Sequence, residues 1–168
     1  MERVTGDRDP AELSRTFRDV LGRFASGITV VTSLADDGPA GFACQSFASL
    51  SLDPPLVLFC VAKTSTSWPR IRATGRFAVN ILAADQRAEC RAFAVPGGDK
   101  FAGLAWSRSV HGTAHLDGAL AVVDCLVDDV HEAGDHHVVI GAVRDLRDHR
   151  DHPPLLYFRG AYADGAFT

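Results

Sequence analysis

Two apolar runs, residues 119–130 and 137–146, flank Glu132-Ala133-Gly134-Asp135, and this pairing constrains the fold more than any other feature of the sequence. Both alternate in the manner of strands with unlike faces. The connection is too short for the crossover that parallel strands require, so an antiparallel hairpin is expected, with Gly134 supplying the turn. Residues 28–34, ITVVTSL, are rich in β-branched side chains and run into Asp36-Asp37-Gly38-Pro39, a turn signal that predicts a hairpin into a strand over 40–51. Asp53-Pro54-Pro55 interrupts pairing, because proline has no N–H to donate. Residues 56–62 then resume as a strand apolar on both faces, with further strands over 77–82 and 155–158. The fold class is mainly β: an antiparallel domain of six or seven strands with two or three peripheral helices.

The helices announce themselves by their ends. Asp9 reads as an N-cap, Pro10 as a first-turn residue and Glu12 as the partner of a capping box, opening a helix to about residue 25. Leu13, Phe17, Val20, Leu21 and Phe24 form one apolar stripe along it, suited to packing on a sheet or on a partner subunit. Ser67 is placed as the N-cap of a short helix that Gly75 ends. Residues 84–93 are helical in composition, and 95–100, VPGGDK, form a loop.

Length and charge narrow the function. A chain of 168 residues with 46% hydrophobic content can bury one real core, so residues 1–168 are expected to form a single domain, with 1–12 as a flexible N-terminal extension. The 17 Lys and Arg are scattered among 21 Asp and Glu, which leaves no electrostatic footprint for nucleic acid. No apolar run approaches the roughly 18–20 residues of a membrane span, and the charged start MERVTGDRDP lacks the apolar core of a signal peptide. A soluble cytoplasmic protein is expected. Cys44, Cys60, Cys90 and Cys125 show no CxxC spacing and read as reduced packing residues. Motifs of dinucleotide folds, P-loops, serine hydrolases and zinc proteases (GxGxxG, GxxxxGK[ST], GxSxG, HExxH) are missing from the sequence.

Chemistry concentrates in residues 41–67, GFACQSFASLSLDPPLVLFCVAKTSTS. Small polar residues lead through an apolar strand into Lys63-Thr64-Ser65-Thr66-Ser67, an arrangement suited to a flat ligand with an anionic tail. A β-arch followed by a capped helix, with no ligand, has the same spacing, and both readings stay open. In Gly134-Asp135-His136-His137, adjacent imidazoles on a strand face opposite ways, so no shared metal is expected; one of them can still act as a donor or proton carrier near neutral pH. Asn80 within FAVNIL needs a buried hydrogen-bond partner. Phe93, Phe101 and Trp106 have the character of residues that cover a flat ring or fill a core.

Six segments in order, FASGITVVT (24–32), GFACQSFASLSLDPPLVLFC (41–60), KTSTSW (63–68), GRFAVNIL (75–82), DKFAG (99–103) and GDHHVVIGAV (134–143), resemble the short-chain flavin reductases, reductase components of two-component flavin-dependent monooxygenases. The likeness spans residues 16–162. It implies a homodimeric split β-barrel of Greek-key-like form that binds FMN or FAD, takes hydride from NADH (NADPH less favoured) and supplies reduced flavin to a partner monooxygenase. Carried over by position, Phe42, Ala43, Cys44 and Gln45 meet the ring and ribityl chain, and Ser46, Ser49 and Ser51 continue the polar face. Cys60, Val61, Ala62, Lys63, Thr66 and Ser67 hold the phosphate end. Ala92 and Phe93 touch the flavin from a following helix, His136 stands near the nicotinamide, and Tyr157 and Tyr162 approach it. Where many members carry Thr-Ala-Asn-Ser, this chain has Ala43-Cys44-Gln45-Ser46, which changes side-chain contacts at the ring. A flavin-binding redox sensor or store of the same fold is the alternative.

Overall fold

The computed structural model describes residues 9–163. Helix α1 spans Pro10–Leu21 and is followed by strands β1 (Ser26–Gly27), β2 (Thr29–Ala35), β3 (Gly38–Cys44), β4 (Ala48–Leu52) and β5 (Pro55–Ala62). Then come α2 (Trp68–Thr74), β6 (Arg76–Ile81), α3 (Arg87–Ala94), β7 (Trp106–Arg108) and β8 (Ala114–Leu116). Strands β9 (Ala121–Ala133), β10 (His136–Asp148), β11 (Leu156–Phe158) and β12 (Ala161–Ala163) complete the described chain. Seven strands make the main sheet in the order β3-β2-β6-β9-β10-β5-β4, beside a β1-β11-β12 sheet and a β7-β8 hairpin. Every pairing is antiparallel, and the main sheet does not close into a barrel.

The expected hairpins form. Ala133 pairs with His136 across Gly134-Asp135, and Gly134 takes φ +62°, a conformation that favours glycine. Ala35 pairs with Gly38 across Asp36-Asp37. The single strand expected over 40–51 is instead divided at Gln45-Ser46-Phe47, and its halves lie on opposite edges of the sheet. Ser46 is the reason. Its hydroxyl donates to Cys60 O (3.0 Å) and accepts from Cys60 N (2.9 Å), satisfying β5 backbone groups that a continuing strand would have taken.

Both faces of β2 are buried. Val31 joins a cluster with Phe42, Phe59, Trp68 and Phe77, in which Phe59 meets Phe77 and Trp68 edge-on at 5.1 and 5.8 Å. Val30 joins the opposite cluster with Ile28, Leu82, Cys90, Phe93, Phe101 and Leu155. Burying each such side chain contributes about 1.5–3 kcal/mol. Asn80 finds the partners its burial demands: its amide donates to Val30 O and Thr32 Oγ1, both at 3.0 Å, and its carbonyl accepts from Leu116 N at 2.8 Å. A second buried network joins β8 to β9. Asp124 lies 2.8 Å from His115 Nε2 and accepts from the Thr113 hydroxyl, which itself contacts Ser109. All four side chains are buried.

Asp9 caps α1 by accepting from Ala11 N, and the helix stops at Leu21, short of the expected residue 25, with the Gly22 amide turned back to Arg18 O. Its stripe packs on no described part of the sheet; Phe17, Val20, Leu21 and Phe24 are exposed. Residues 10–12 already belong to this helix, while residues 1–8 of the expected extension lie outside those described. No described helix is long and apolar enough to cross a membrane.

Candidate active site

The ends of β3 and β5 lie close together where Ser46 bridges them, and the side chains around that junction line a cavity of about 460 Å³. Phe42, Ala43, Cys44, Gln45 and Ser46 come from β3 and the connection after it. Cys60, Val61 and Ala62 come from the end of β5, and Thr64, Ser65, Thr66 and Ser67 from the loop that follows. Phe93, Ala94 and Pro96 approach from α3 and its exit, with Lys100 beside them. His136, paired with Ala62 across the β5–β10 ladder, completes the lining.

Small residues and backbone make the apolar part of this wall, and the donors gather at the loop. The amides of Thr64, Thr66 and Ser67 find no acceptor among the described residues, whereas Lys63 N donates to Asp135 O and Ser65 N to Ala62 O. Adjacent open amides such as those of Thr66 and Ser67 suit an anion. Lys100 Nζ stands over the same region, donating to Gly41 O and Phe93 O, each at 3.2 Å. No described carboxylate pairs with it. Burial lowers its pKa from the usual lysine value, which means its charge is incompletely solvated.

The Cys44 thiol is pushed up, chiefly by burial, with Ser46 Oγ 3.4 Å away partly opposing the shift; it is a packing thiol and not a nucleophile. His136 Nδ1 lies 2.7 Å from Asp135 Oδ1, and this hydrogen bond holds the Asp135 carboxyl below its usual range. Among the described residues no Asp or Glu lines the cavity, and its lining suits holding and aligning a ligand.

Several residues expected in the site lie elsewhere. Lys63 forms an ion pair with Glu132 at 2.9 Å, because its amide extends the pairing toward the β9–β10 turn and carries the side chain to that edge. Ser49 and Ser51 flank a register shift in edge strand β4, away from the cavity. Ala92 is about 100° around the helix from Phe93 and does not line the cavity. Tyr157 and Tyr162 stack on each other at 5.4 Å in the β11–β12 hairpin, where the Tyr162 hydroxyl meets Cys90 Sγ at 3.5 Å. Phe101 and Trp106, which read as covering a flat ring or filling a core, belong with the second core cluster and also line a neighbouring cavity. Ser67 makes no capping hydrogen bond through its side chain; Ser65 Oγ accepts from Trp68 N in its place. Ala94, Pro96 and Lys100 line the cavity without being among the expected residues, although the DKFAG segment contains Lys100.

A cavity lined by small residues, by Phe42 and Phe93 and by a group of open amides suits a flat ligand with an anionic tail. The flavin reductase like domain matches residues 21–166, and the chain belongs to that family. It is 49% identical over 165 residues to the reductase subunit HsaB of a flavin-dependent monooxygenase from Rhodococcus jostii, covering 96% of this chain and 85% of that protein. The crystal structure of nitrilotriacetate monooxygenase component B from Mycobacterium thermoresistibile superposes with a TM-score of 0.90 at 51% identity, over 92% of this chain and 88% of that one. The NADH:FAD oxidoreductase SgcE6 of Streptomyces globisporus, solved with NAD and FAD fragments, gives a TM-score of 0.85 at 33% identity, over 95% of this chain and 96% of that one.

Proposed function

We propose that this chain is an NADH-dependent flavin reductase that reduces FMN or FAD in the cavity beside Ser46 and supplies the reduced flavin to a partner monooxygenase. One observation carries the reading: open amides of the loop after β5, Lys100 and His136 line one cavity. The relatives named as reductase subunits support the direction of transfer. Bound flavin supplies a hydride acceptor for the C4 hydrogen of a reduced nicotinamide. The protein's contribution is alignment. Thr64, Thr66, Ser67 and Lys100 fix the anionic tail, while the backbone from Ala43 to Gln45 and the side chain of Phe93 set the plane of the ring. His136, oriented by Asp135, offers its other ring nitrogen to the incoming nicotinamide.

Loss of one such hydrogen bond is worth about 0.5–1.5 kcal/mol. Replacing His136 by alanine is accordingly expected to raise the KM for NADH or lower turnover by about 3–10-fold while leaving flavin Kd unchanged. Equal loss of both would move His136 into the flavin site. The reading as a whole is tested by NADH oxidation that depends on added flavin; binding of flavin without such turnover would favour a redox sensor or store.

The split-barrel form is supported by β3 and β4, opposite sheet edges that are consecutive in the chain and linked to β5 through Ser46. A homodimer is supported by exposed apolar side chains on α1 and just after it, with Phe17 61% and Phe24 82% accessible, and by the exposed Leu50 and Leu52 of edge strand β4. A second copy is their proposed cover. The double variant Phe17→Asp, Phe24→Asp is expected to sediment as a monomer where the parent sediments as a dimer; an unchanged mass would remove this face from the interface. Cytoplasmic residence is supported by four unbridged thiols, and recovery in a secreted fraction would contradict it.

A further inference from the structure

A smaller cavity, of about 250 Å³, is lined by the β7–β8 hairpin, the turn after it and the far end of β10, and it shares no lining residue with the site beside Ser46. His115 forms part of its wall, although only 4% of that residue is accessible. The ring is held from behind: Nε2 lies 2.8 Å from Asp124 Oδ2, and Asp124 is itself fixed by the Thr113 hydroxyl. A neutral imidazole that donates from Nε2 to a carboxylate presents a lone pair at Nδ1. That Nδ1 has no hydrogen-bond partner among the described residues and keeps access to solvent, which for so buried a ring is the cavity.

Two guanidiniums stand in the same wall with donors left over. Arg147 commits only Nε, to Asp145 at 3.3 Å, and Arg150 commits only Nη2, to both oxygens of Asp85 at 2.7 Å. The free Arg150 Nη1 lies beside Gly118, where an added Cβ would stand 3.5 Å from it. The buried Leu116 and Ala119 supply apolar lining. Asp117 lines the cavity as well, and with Asp85 and Asp145 it offsets the two guanidiniums, so no surplus of positive charge favours a multiply charged ion.

We propose that this cavity binds a small hydroxylated carboxylate, its carboxylate accepting from Arg147 and Arg150 and its hydroxyl donating to His115 Nδ1. The planar fork of a guanidinium matches a carboxylate. A buried lone pair held in place by an acid behind it takes an O–H, and it is left unpaired by an acid that has none. The proposal stands apart from the flavin reading, because His136 opens β10 and Arg147 lies near the other end of that strand.

Lactate and propionate are nearly equal in size and charge and differ by the hydroxyl. Each is titrated into the full chain at constant ionic strength, and the ring resonances of His115, assigned through bonds from its own backbone, are followed by NMR. The readout is local, so an acid bound at the open amides of the first cavity does not register. Lactate is expected to shift the His115 resonances saturably, with propionate binding about 3–10-fold more weakly, the worth of one hydrogen bond. Arg147→Gln, a change at an exposed side chain, should weaken lactate about tenfold and leave the unfolding midpoint of the ligand-free protein where it was. Equal affinity for the two acids, no saturable shift with lactate, or an Arg147→Gln protein that binds lactate as the parent does overturns the assignment. Tighter binding of inorganic phosphate than of lactate gives the cavity to a different anion and overturns it as well.

Discussion

Asp124→Ala is expected to cost about 3–5 kcal/mol of folding stability, because it removes one partner of a buried, mutually satisfied cluster. Asp124 is 1% accessible and His115 4%. Burial alone would raise the Asp124 pKa, but hydrogen bonds from His115 and Thr113 outweigh it and leave the carboxyl below its usual value. Alanine would strand the Thr113 hydroxyl and the His115 ring in the interior without their acceptor. Against a typical domain stability of about 5–15 kcal/mol, that loss would be severe.

The sign with pH follows from the lowered pKa. The stability Asp124 contributes is complete above the unfolded carboxylate value of about 3.9, and it is lost as pH falls through the lower folded value. Urea unfolding followed from pH 7 into acid is thus expected to show a steep decline below about pH 4 that is flatter in Asp124→Asn. The other lowered carboxylates, Asp37, Asp85, Glu132, Asp135 and Asp145, are more exposed and screened, so they contribute little to this limb. Matching acid limbs in parent and variant would show that the buried cluster is not its source.

Gly41→Ala is the second large effect, and it reaches the cavity through packing. An added Cβ would lie 2.7 Å from Phe93 Cε1 and 3.1 Å from Val31 O. The ring has little freedom to yield, since Phe101 holds it edge-on at 4.9 Å, and Val31 O belongs to the sheet backbone. Overpacking of this kind costs about 1–3 kcal/mol. Phe93 lines the cavity and its carbonyl receives Lys100, so the same displacement disturbs the cavity wall and the Lys100 ammonium together. Flavin affinity is expected to fall about tenfold, which corresponds to ~1.4 kcal/mol. Gly141→Ala is the control. Its Cβ would run into Phe77 Cζ, in the core and away from the cavity. It should lower stability with flavin Kd unchanged. A Gly41→Ala protein that binds flavin as well as the parent would detach Phe93 from the site.

Local chemistry in the sequence was enough to place the hairpins. Gly134 and Asp36-Asp37 carry their turns whatever surrounds them, and the helix start at Asp9 needs only its own capping oxygen. The break at Ser46 was not legible, because its cause is Cys60, fourteen residues further on, whose backbone takes the serine hydroxyl on both its donor and acceptor sides. Four of the six resembling segments contribute to the cavity lining, but the direction of each side chain depends on ladder register. Lys63 stands in the right loop yet is drawn to Glu132, while Lys100, from a segment read as a plain loop, turns its ammonium over the donor cluster. Tyr157 and Tyr162 pair with each other across β11 and β12, and the Tyr162 hydroxyl meets Cys90, so both pack against the second core cluster and not in the cavity. In each case the residue type was visible in the sequence and its partner was not.

The most direct test is the steady-state loss of NADH absorbance by purified protein as FMN or FAD is titrated. The account predicts oxidation that requires flavin and saturates in both flavin and NADH, with His136→Ala altering the NADH dependence alone. Stoichiometric binding of flavin with no acceleration of NADH oxidation would contradict it.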